Sequence, residues 1–563
     1  MLFCQAKDSS LWKKIREDAS YLMLREQLEC MKKEYCGQPM EALKFSEYIM
    51  YSRSGSRKEY EASYFARRGR MNAFAALTLI YGEEEFLQCL EDTIWAVCDE
   101  YTWALPAHVD GTSIDKAPLF IDLFAAETGF ALSEICCLLN DRLSPMLIER
   151  IKYEIDRRII SSFETTTFWW ETAESNWSSV CGGSVAAAFM YMAPQRFSKV
   201  HTRIEAAMDC FLKSYREDGV CREGLGYWGY GFGFFVYYAQ LLKEFTGGKT
   251  DLFKNEKVKK IAEFQDGAFL QGDVVVSFAD SFVAGFRYDT ALTYFLNGVY
   301  GTAIPPKAYA AGLGDDSCHR WANFIRSIVW FSAGKESSAV KKGSIYFEDS
   351  EVFIVKNNAL SFAAKCGCNA EPHNHNDVGS FIFVADNRQL LCDLGAGEYT
   401  RDYFAPETRY EFLVNSSRGH NIPIVNGQHQ KYGVEYGGRV ICADDKMFEI
   451  DISAAYGIPT LKSLVRKFEV TENFVEITDA YEFSSKPKSV VERLISTTEP
   501  ELKPGQIKLG NAVISYSNDI FDCTFRKEDY NGHKGIMKTA YLIDLKVKEP
   551  TEREKIKFTI FAQ

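Results

Sequence analysis

The spacing of apolar residues changes near Lys341, and that change divides the chain. Ahead of it, apolar residues recur at the spacing of one helix face over residues 10–31, 64–90, 119–139, 146–160, 180–192, 203–215, 234–245, 252–264 and 292–300. Short connections rich in Gly, Asp and Ser join these runs, which predicts stacked helical hairpins as in bundles, solenoids or toroids. No fixed sequence period accompanies them, so an ordinary repeat array is not supported. A turn-rich break at 301–316 precedes one more helical run, 319–331. Beyond Lys341 the runs 352–355, 380–384, 468–478, 512–516 and 555–561 are β-rich, with frequent period-two alternation and Asp, Asn and Gly turns between them. They predict an antiparallel sandwich. The expected division is a helical domain, 1–335, and a β domain, 336–563.

A chain of 563 residues is too long for one ordinary core and suits two or more domains. Its net charge of −12 offers no global basic field, so neither nucleic acid nor a membrane is an expected partner. No apolar run reaches the ~18–20 residues that span a bilayer. The start, Met1-Leu-Phe-Cys-Gln-Ala-Lys-Asp8, lacks the features of an export signal. The expected compartment is the cytoplasm, or the periplasm if a signal has been lost. Sixteen cysteines in so long a chain read as free thiols. Aromatic residues make up 14%, enough to line a sugar-binding groove as well as a core.

Four of the eight histidines, His373, His375, His420 and His429, fall in one short region. The first two stand in residues 371–380, Glu-Pro-His-Asn-His-Asn-Asp-Val-Gly-Ser. On a strand, residues i and i+2 face the same side, so both imidazoles would reach one cleft or one metal. With Asp393 and His420 they make an ordinary zinc set, the alternative being a hydrogen-bonded pair without metal. A second cluster, residues 168–183, places Asn176 and Trp177 before a helix of small residues; taken alone, it reads as helix capping by Ser175 or Asn176 with Trp177 in the core. A third, residues 218–233, is dense in glycine and brings Tyr227, Trp228 and Tyr230 to an expected loop between helices. It lacks the flanks of a phosphate-cradling motif.

In this order, Asn-Trp before Val-Cys-Gly-Gly, Glu-Gly-x-x-Tyr-Trp-x-Tyr-Gly, and His-Asn-His-Asn-Asp with a later Ser-x-x-His-Asn, the clusters resemble the heparinase II/III family of polysaccharide lyases. The resemblance spans most of the chain. It implies an incomplete (α/α) toroid followed by an antiparallel β-sandwich, with β-elimination on a uronic-acid-containing glycan in the cleft between them. Asn176 matches the residue that neutralises the uronate carboxylate. Tyr227 matches the catalytic tyrosine and His373 the histidine that assists or replaces it, with Tyr230 in reserve. His375, Asp393 and His420 match the positions that hold a structural zinc in some members, with His429 a replacement for His420. Trp177, Glu223, Trp228, His108, Arg409 and Arg418 are expected at the substrate, whereas His201, His319 and His533 are expected in surface or core.

The expected partner is an acidic oligosaccharide or polysaccharide: heparin, heparan sulfate, chondroitin, hyaluronan or alginate. A homo-oligomer is left open. A glycoside hydrolase on the same toroid would recruit two of Glu171, Glu174 and Glu223, but would leave Tyr227 and His373 without a role. A carbohydrate-binding protein that has lost the chemistry is the third reading.

Overall fold

A computed structural model describes residues 2–281, 283–338, 341–371 and 373–563; Pro372, inside the histidine stretch, lies outside them. The described chain is mainly helical up to Val329 and mainly strand from Gly343 onward. Several expected helices divide where the chain supplies a cap. The run 10–31 becomes Ser9–Glu17 and Leu22–Tyr35, parted at Asp18, whose carboxylate accepts from Ser20 N. The run 64–90 becomes Lys58–Tyr81 and Glu84–Cys98, parted at Gly82, whose positive φ of 70° ends the first helix in a left-handed turn. Asn176–Met192 is the helix around which its neighbours pack. Its small residues, Cys181 to Ala188 with Val185 among them, let Leu123–Leu138, His201–Lys213 and Gly233–Phe245 approach closely. A Cβ on Gly183 would lie 3.2 Å from the Phe234 carbonyl. None of the described helices is long and apolar enough to cross a membrane, and no disulfide joins the described cysteines.

The strands form a five-stranded, a four-stranded and an eight-stranded sheet, each antiparallel throughout. The run 468–478, read as one β segment, is a hairpin: Leu461–Val470 turns at Thr471 into Phe474–Phe483. The five-stranded and eight-stranded sheets face each other across an aromatic core, where Phe353 stacks on Phe448 at 5.3 Å and Phe362 meets Phe468 at 5.2 Å.

The helical half also contributes an unexpected hairpin, Phe269–Gln271 with Val274–Val275. Its Leu270 and Val274, with Phe278 beyond, pack on the outer face of the five-stranded sheet against Ile354, Ala363, Ile382 and Val384. That sheet is therefore buried on both faces, which is why residues 352–355 and the strand Phe381–Ala385 are continuously apolar. Two further contacts join the halves. Lys356 Nζ donates to the carbonyls of Asp266 (2.7 Å), Gly267 (3.3 Å) and Phe269 (3.1 Å) at the end of helix Glu256–Ala268. Ala396 N donates to Ser281 O at 3.2 Å, beside Gly395 at φ 66°.

A Cβ on Gly395 would lie 2.3 Å from Ser281 O. Gly395→Ala therefore meets both this clash and left-handed strain of about 1–2 kcal/mol, and is expected to lower the thermal unfolding midpoint. An unchanged midpoint would show that this approach between the halves does not matter.

Candidate active site

The segment that follows this hairpin ends in Phe278-Ala-Asp-Ser281, and the carboxylate of Asp280 is wholly buried where the halves meet. His373 Nδ1 meets Asp280 Oδ2 at 2.5 Å and His375 Nε2 meets Oδ1 at 3.1 Å. The Tyr399 hydroxyl donates to Oδ2 at 3.1 Å, the Tyr403 hydroxyl donates to Oδ1, and Arg409 Nη2 stands 3.8 Å from Oδ2. Burial would raise the Asp280 pKa, but the hydrogen bonds from His373 and His375 outweigh it and hold the carboxyl well below the usual range.

The two histidines converge by a route different from the expected strand. Residues 373–380 form an irregular loop, and His373 has a φ of 53°. The start of the loop is held from both halves of the chain. Glu371 pairs with Arg216 (2.6 Å) and Arg222 (3.1 Å) of the helical half. The Asn374 carbonyl accepts from Arg409 Nε and Nη2 at 3.2 and 3.0 Å.

Tyr227 lies against His373, the ring centroids 4.6 Å apart, and its hydroxyl is 3.2 Å from that of Tyr399. It does not stand on a loop, as the glycines suggested. Leu225–Tyr227 is the first turn of a helix that runs through a wide π turn, Trp228–Phe232, into Gly233–Phe245, with Gly224 at φ 93° before it. Burial pushes the Tyr227 phenol well above its ordinary range, so at neutral pH it is a proton donor. Burial also raises Glu223. Asn176 opens the helix Asn176–Met192, and the Ser175 before it makes no side-chain capping bond. Ser179 Oγ donates to Gly231 O at 2.8 Å, and a Cβ on Gly231 would lie 3.1 Å from Asn176 Cβ, so the start of this helix adjoins the one that carries Tyr227. The half-buried Trp177 is flanked by His108 at 5.0 Å and by Trp169 at 4.8 Å, the latter 56% exposed. His108 Nδ1 is fixed by Asp122 Oδ2 at 2.7 Å.

Other expected site residues lie elsewhere or play another part. The Trp228 ring is buried in the core and its N–H donates to Ile261 O at 2.7 Å, which corrects its expected place at the substrate. The Tyr230 hydroxyl is engaged in the helical half: it donates to Glu127 at 2.7 Å, with the Arg320 guanidinium over its ring. Arg409 is buried and braces the histidine loop, and Arg418 pairs with Glu528 at 3.3 Å. His533, expected in surface or core, packs edge-on against Tyr399 at 4.4 Å from the tip of the hairpin Phe521–Asn531 and Met537–Val547. Asp280, Tyr399 and Tyr403 were missed because nothing local marks them. Asp280 follows an apolar run in the helical half, and the tyrosines stand in Tyr399-Thr-Arg-Asp-Tyr403 without a recognisable motif.

Behind Asp280, His375, Asp393 and His420 come together, all buried, with one ligand atom from each within 4.8 Å of the others. His420 Nδ1 lies 3.2 Å from Asp393 Oδ2, without hydrogen-bond geometry, and His375 Nδ1 lies 3.9 Å from Asp393 Oδ1. These atoms, His375 Nδ1, His420 Nδ1 and Asp393 Oδ2, are buried with no hydrogen-bond partner. The other nitrogen of each ring is engaged, His375 Nε2 by Asp280 and His420 Nε2 by Val414 O at 3.0 Å. Two imidazoles and a carboxylate with free inner atoms and fixed outer ones are the donor chemistry of a zinc site. His429 does not join this group. A cavity lined by Val276, Phe278, Val352 and Ile354 lies beside His375 and Asn374.

Residues 339–503 match the family model described as Heparinase II/III-like, C-terminal. No curated protein matches the sequence. Among solved structures the chain is similar to a heparan sulfate lyase from Pedobacter heparinus, at 13% identity and a TM-score of 0.60, covering 97% of this chain and 88% of that one. It is similar to a heparinase III at 10% identity and a TM-score of 0.62, covering 99% and 93%. It is also similar to a chondroitin AC lyase from Streptomyces coelicolor A3 at 11% identity and a TM-score of 0.58, covering 98% and 82%. At such identities the likeness is one of fold. The resemblance to the heparinase II/III-like family holds: residues 339–503 match its C-terminal model, on a mixed helical and β fold like that of heparinase and chondroitin lyases.

The protonation of Tyr227 can be read directly. The difference in phenolate absorbance between wild type and Tyr227→Phe is expected to be absent at pH 10, where an ordinary tyrosine is about half ionised. A half-ionised difference at that pH would make Tyr227 an ordinary phenol.

Proposed function

We propose that the protein is a polysaccharide or oligosaccharide lyase that cleaves uronic-acid-containing glycans by β-elimination. The observation that carries this reading is the facing pair, His373 and Tyr227, with rings 4.6 Å apart at the meeting of the two halves. His373 uses Nδ1 against Asp280, which leaves Nε2 to take the C5 proton of the uronate. Asn176, whose side chain has no partner among the described residues, donates to the uronate carboxylate and favours the enolate-like intermediate. As the C4–O bond breaks and C4=C5 forms, the neutral Tyr227 phenol gives its proton to the departing oxygen. Trp177 and His108 flank the same helix start and would contact the sugar.

The helical half is then an incomplete (α/α) toroid over 1–335 and the β half a sandwich domain over 336–563. Glycosaminoglycans such as heparan sulfate or chondroitin sulfate are the proposed substrates, with alginate the alternative by the same mechanism. Hydrolysis is disfavoured because Glu171 is bound by Arg203 at 2.7 Å and by Phe168 N at 2.7 Å, while Glu174 is exposed and Glu223 sits buried near His373. Zinc held by His375, Asp393 and His420 would neutralise Asp393 and cross-link the loops behind His373.

Incubation with heparan sulfate, chondroitin sulfate, hyaluronan and alginate is expected to raise the ultraviolet absorbance of an unsaturated uronate with at least one of them. His373→Ala and Tyr227→Phe are expected to lower that rate by about 10²–10⁴-fold, and Asn176→Ala by about 10²–10³-fold. New reducing ends without the absorbance would favour a hydrolase, and silence in both assays a binding protein. Separately, a strong chelator is expected to lower the thermal midpoint and added zinc to restore it; a midpoint indifferent to both would remove the metal.

A further inference from the structure

We propose that Asp280 is a positioning residue that supports two sites at once: one carboxylate oxygen fixes the His373 imidazole, and the other fixes His375 toward Asp393 and His420. The part concerning His373 rests on the lyase reading, whereas the part concerning His375 does not. Asp280 comes from the helical half, outside the histidine-rich loops, yet the side chains that hydrogen-bond or ion-pair with it belong to the β half: His373, His375, Tyr399, Tyr403 and Arg409. Its Oδ2 takes the Nδ1 proton of His373, which selects one tautomer and aims the unprotonated Nε2 outward, beside the Tyr227 ring. Its Oδ1 takes the Nε2 proton of His375 and so leaves Nδ1 unprotonated, the nitrogen that faces Asp393 at 3.9 Å and has no other partner. A metal ligand and a reacting base therefore share one carboxylate, with two tyrosine hydroxyls holding it in place. Loss of that carboxylate should be felt in both places.

Asp280→Asn keeps the shape but replaces one accepting oxygen with an N–H donor, so at most one of the two imidazoles keeps its tautomer. Zinc affinity, measured by competition with a chromophoric chelator, is expected to fall by about 10–100-fold. Turnover on whichever glycan the wild type cleaves is expected to fall by about 10–100-fold in kcat, with KM within about twofold. Zinc affinity and kcat both within about threefold of wild type would overturn the proposal. A loss of zinc affinity alone would leave Asp280 serving the metal only and overturn the shared role. If the variant fails to fold, a long-range nitrogen–proton spectrum of wild type labelled at histidine decides. His373 is expected as the Nδ1–H tautomer and His375 as the Nε2–H tautomer, and the opposite tautomer at either overturns it. A wild type that cleaves no uronate glycan would remove the lyase reading and with it the reacting role of His373, while zinc affinity and tautomers, read without substrate, still test the part concerning His375.

Discussion

One buried carboxylate, that of Asp280, ties the two halves of the chain together at the point where the chemistry is proposed to occur. An ionised carboxylate taken out of water is costly by several kcal/mol unless donors surround it. Here two imidazoles and two phenols supply them, with a guanidinium nearby. The donors come from two separate connections of the β half, so the charge can be buried only when both of them are in place. The hairpin Phe269–Gln271 with Val274–Val275 delivers the carboxylate by packing apolar side chains on the five-stranded sheet. Apolar burial sets the position and the polar contacts set the geometry.

Burial separates the protonation roles of the two groups that face each other. Tyr227 is pushed up and stays a phenol, whereas His373 is tied at one nitrogen and free at the other. A donor and an acceptor side by side, with an amide at the start of a neighbouring helix, suit proton removal next to a carboxylate better than attack on an acetal. The latter needs two carboxylates across a bond, and among the candidate glutamates Glu171 is already engaged by Arg203.

Much of this was legible in the sequence. The change of period near Lys341 located the helical and β halves, because amphipathic helices and pleated strands impose different spacings on apolar residues. The set His375, Asp393 and His420 came from the family resemblance, because spacing alone left His373 an equal candidate, and the structure does bring the three together. What was not legible depends on long-range packing. Asp280 lies 93 residues before its partner His373, and a lone carboxylate after an apolar run carries no local signal. The loop at 373–380 was misread as strand because alternation alone cannot reveal that His373 takes a left-handed backbone. Trp228 was placed at the substrate because it stands among tyrosines, although its indole closes the core against Ile261.

The lysine that reaches across the halves has a consequence for biosynthesis. Helix Glu256–Ala268 is made before Lys356, and its last carbonyls accept from that ammonium. During synthesis from the amino terminus, the helices can pack while this end and the hairpin after it still await the five-stranded sheet. Asp280 then stays in water, away from its imidazoles, until the β half has emerged and folded. A nascent or truncated chain would thus hold a packed helical body without an assembled centre, and competence would arise only with the last part of the polypeptide.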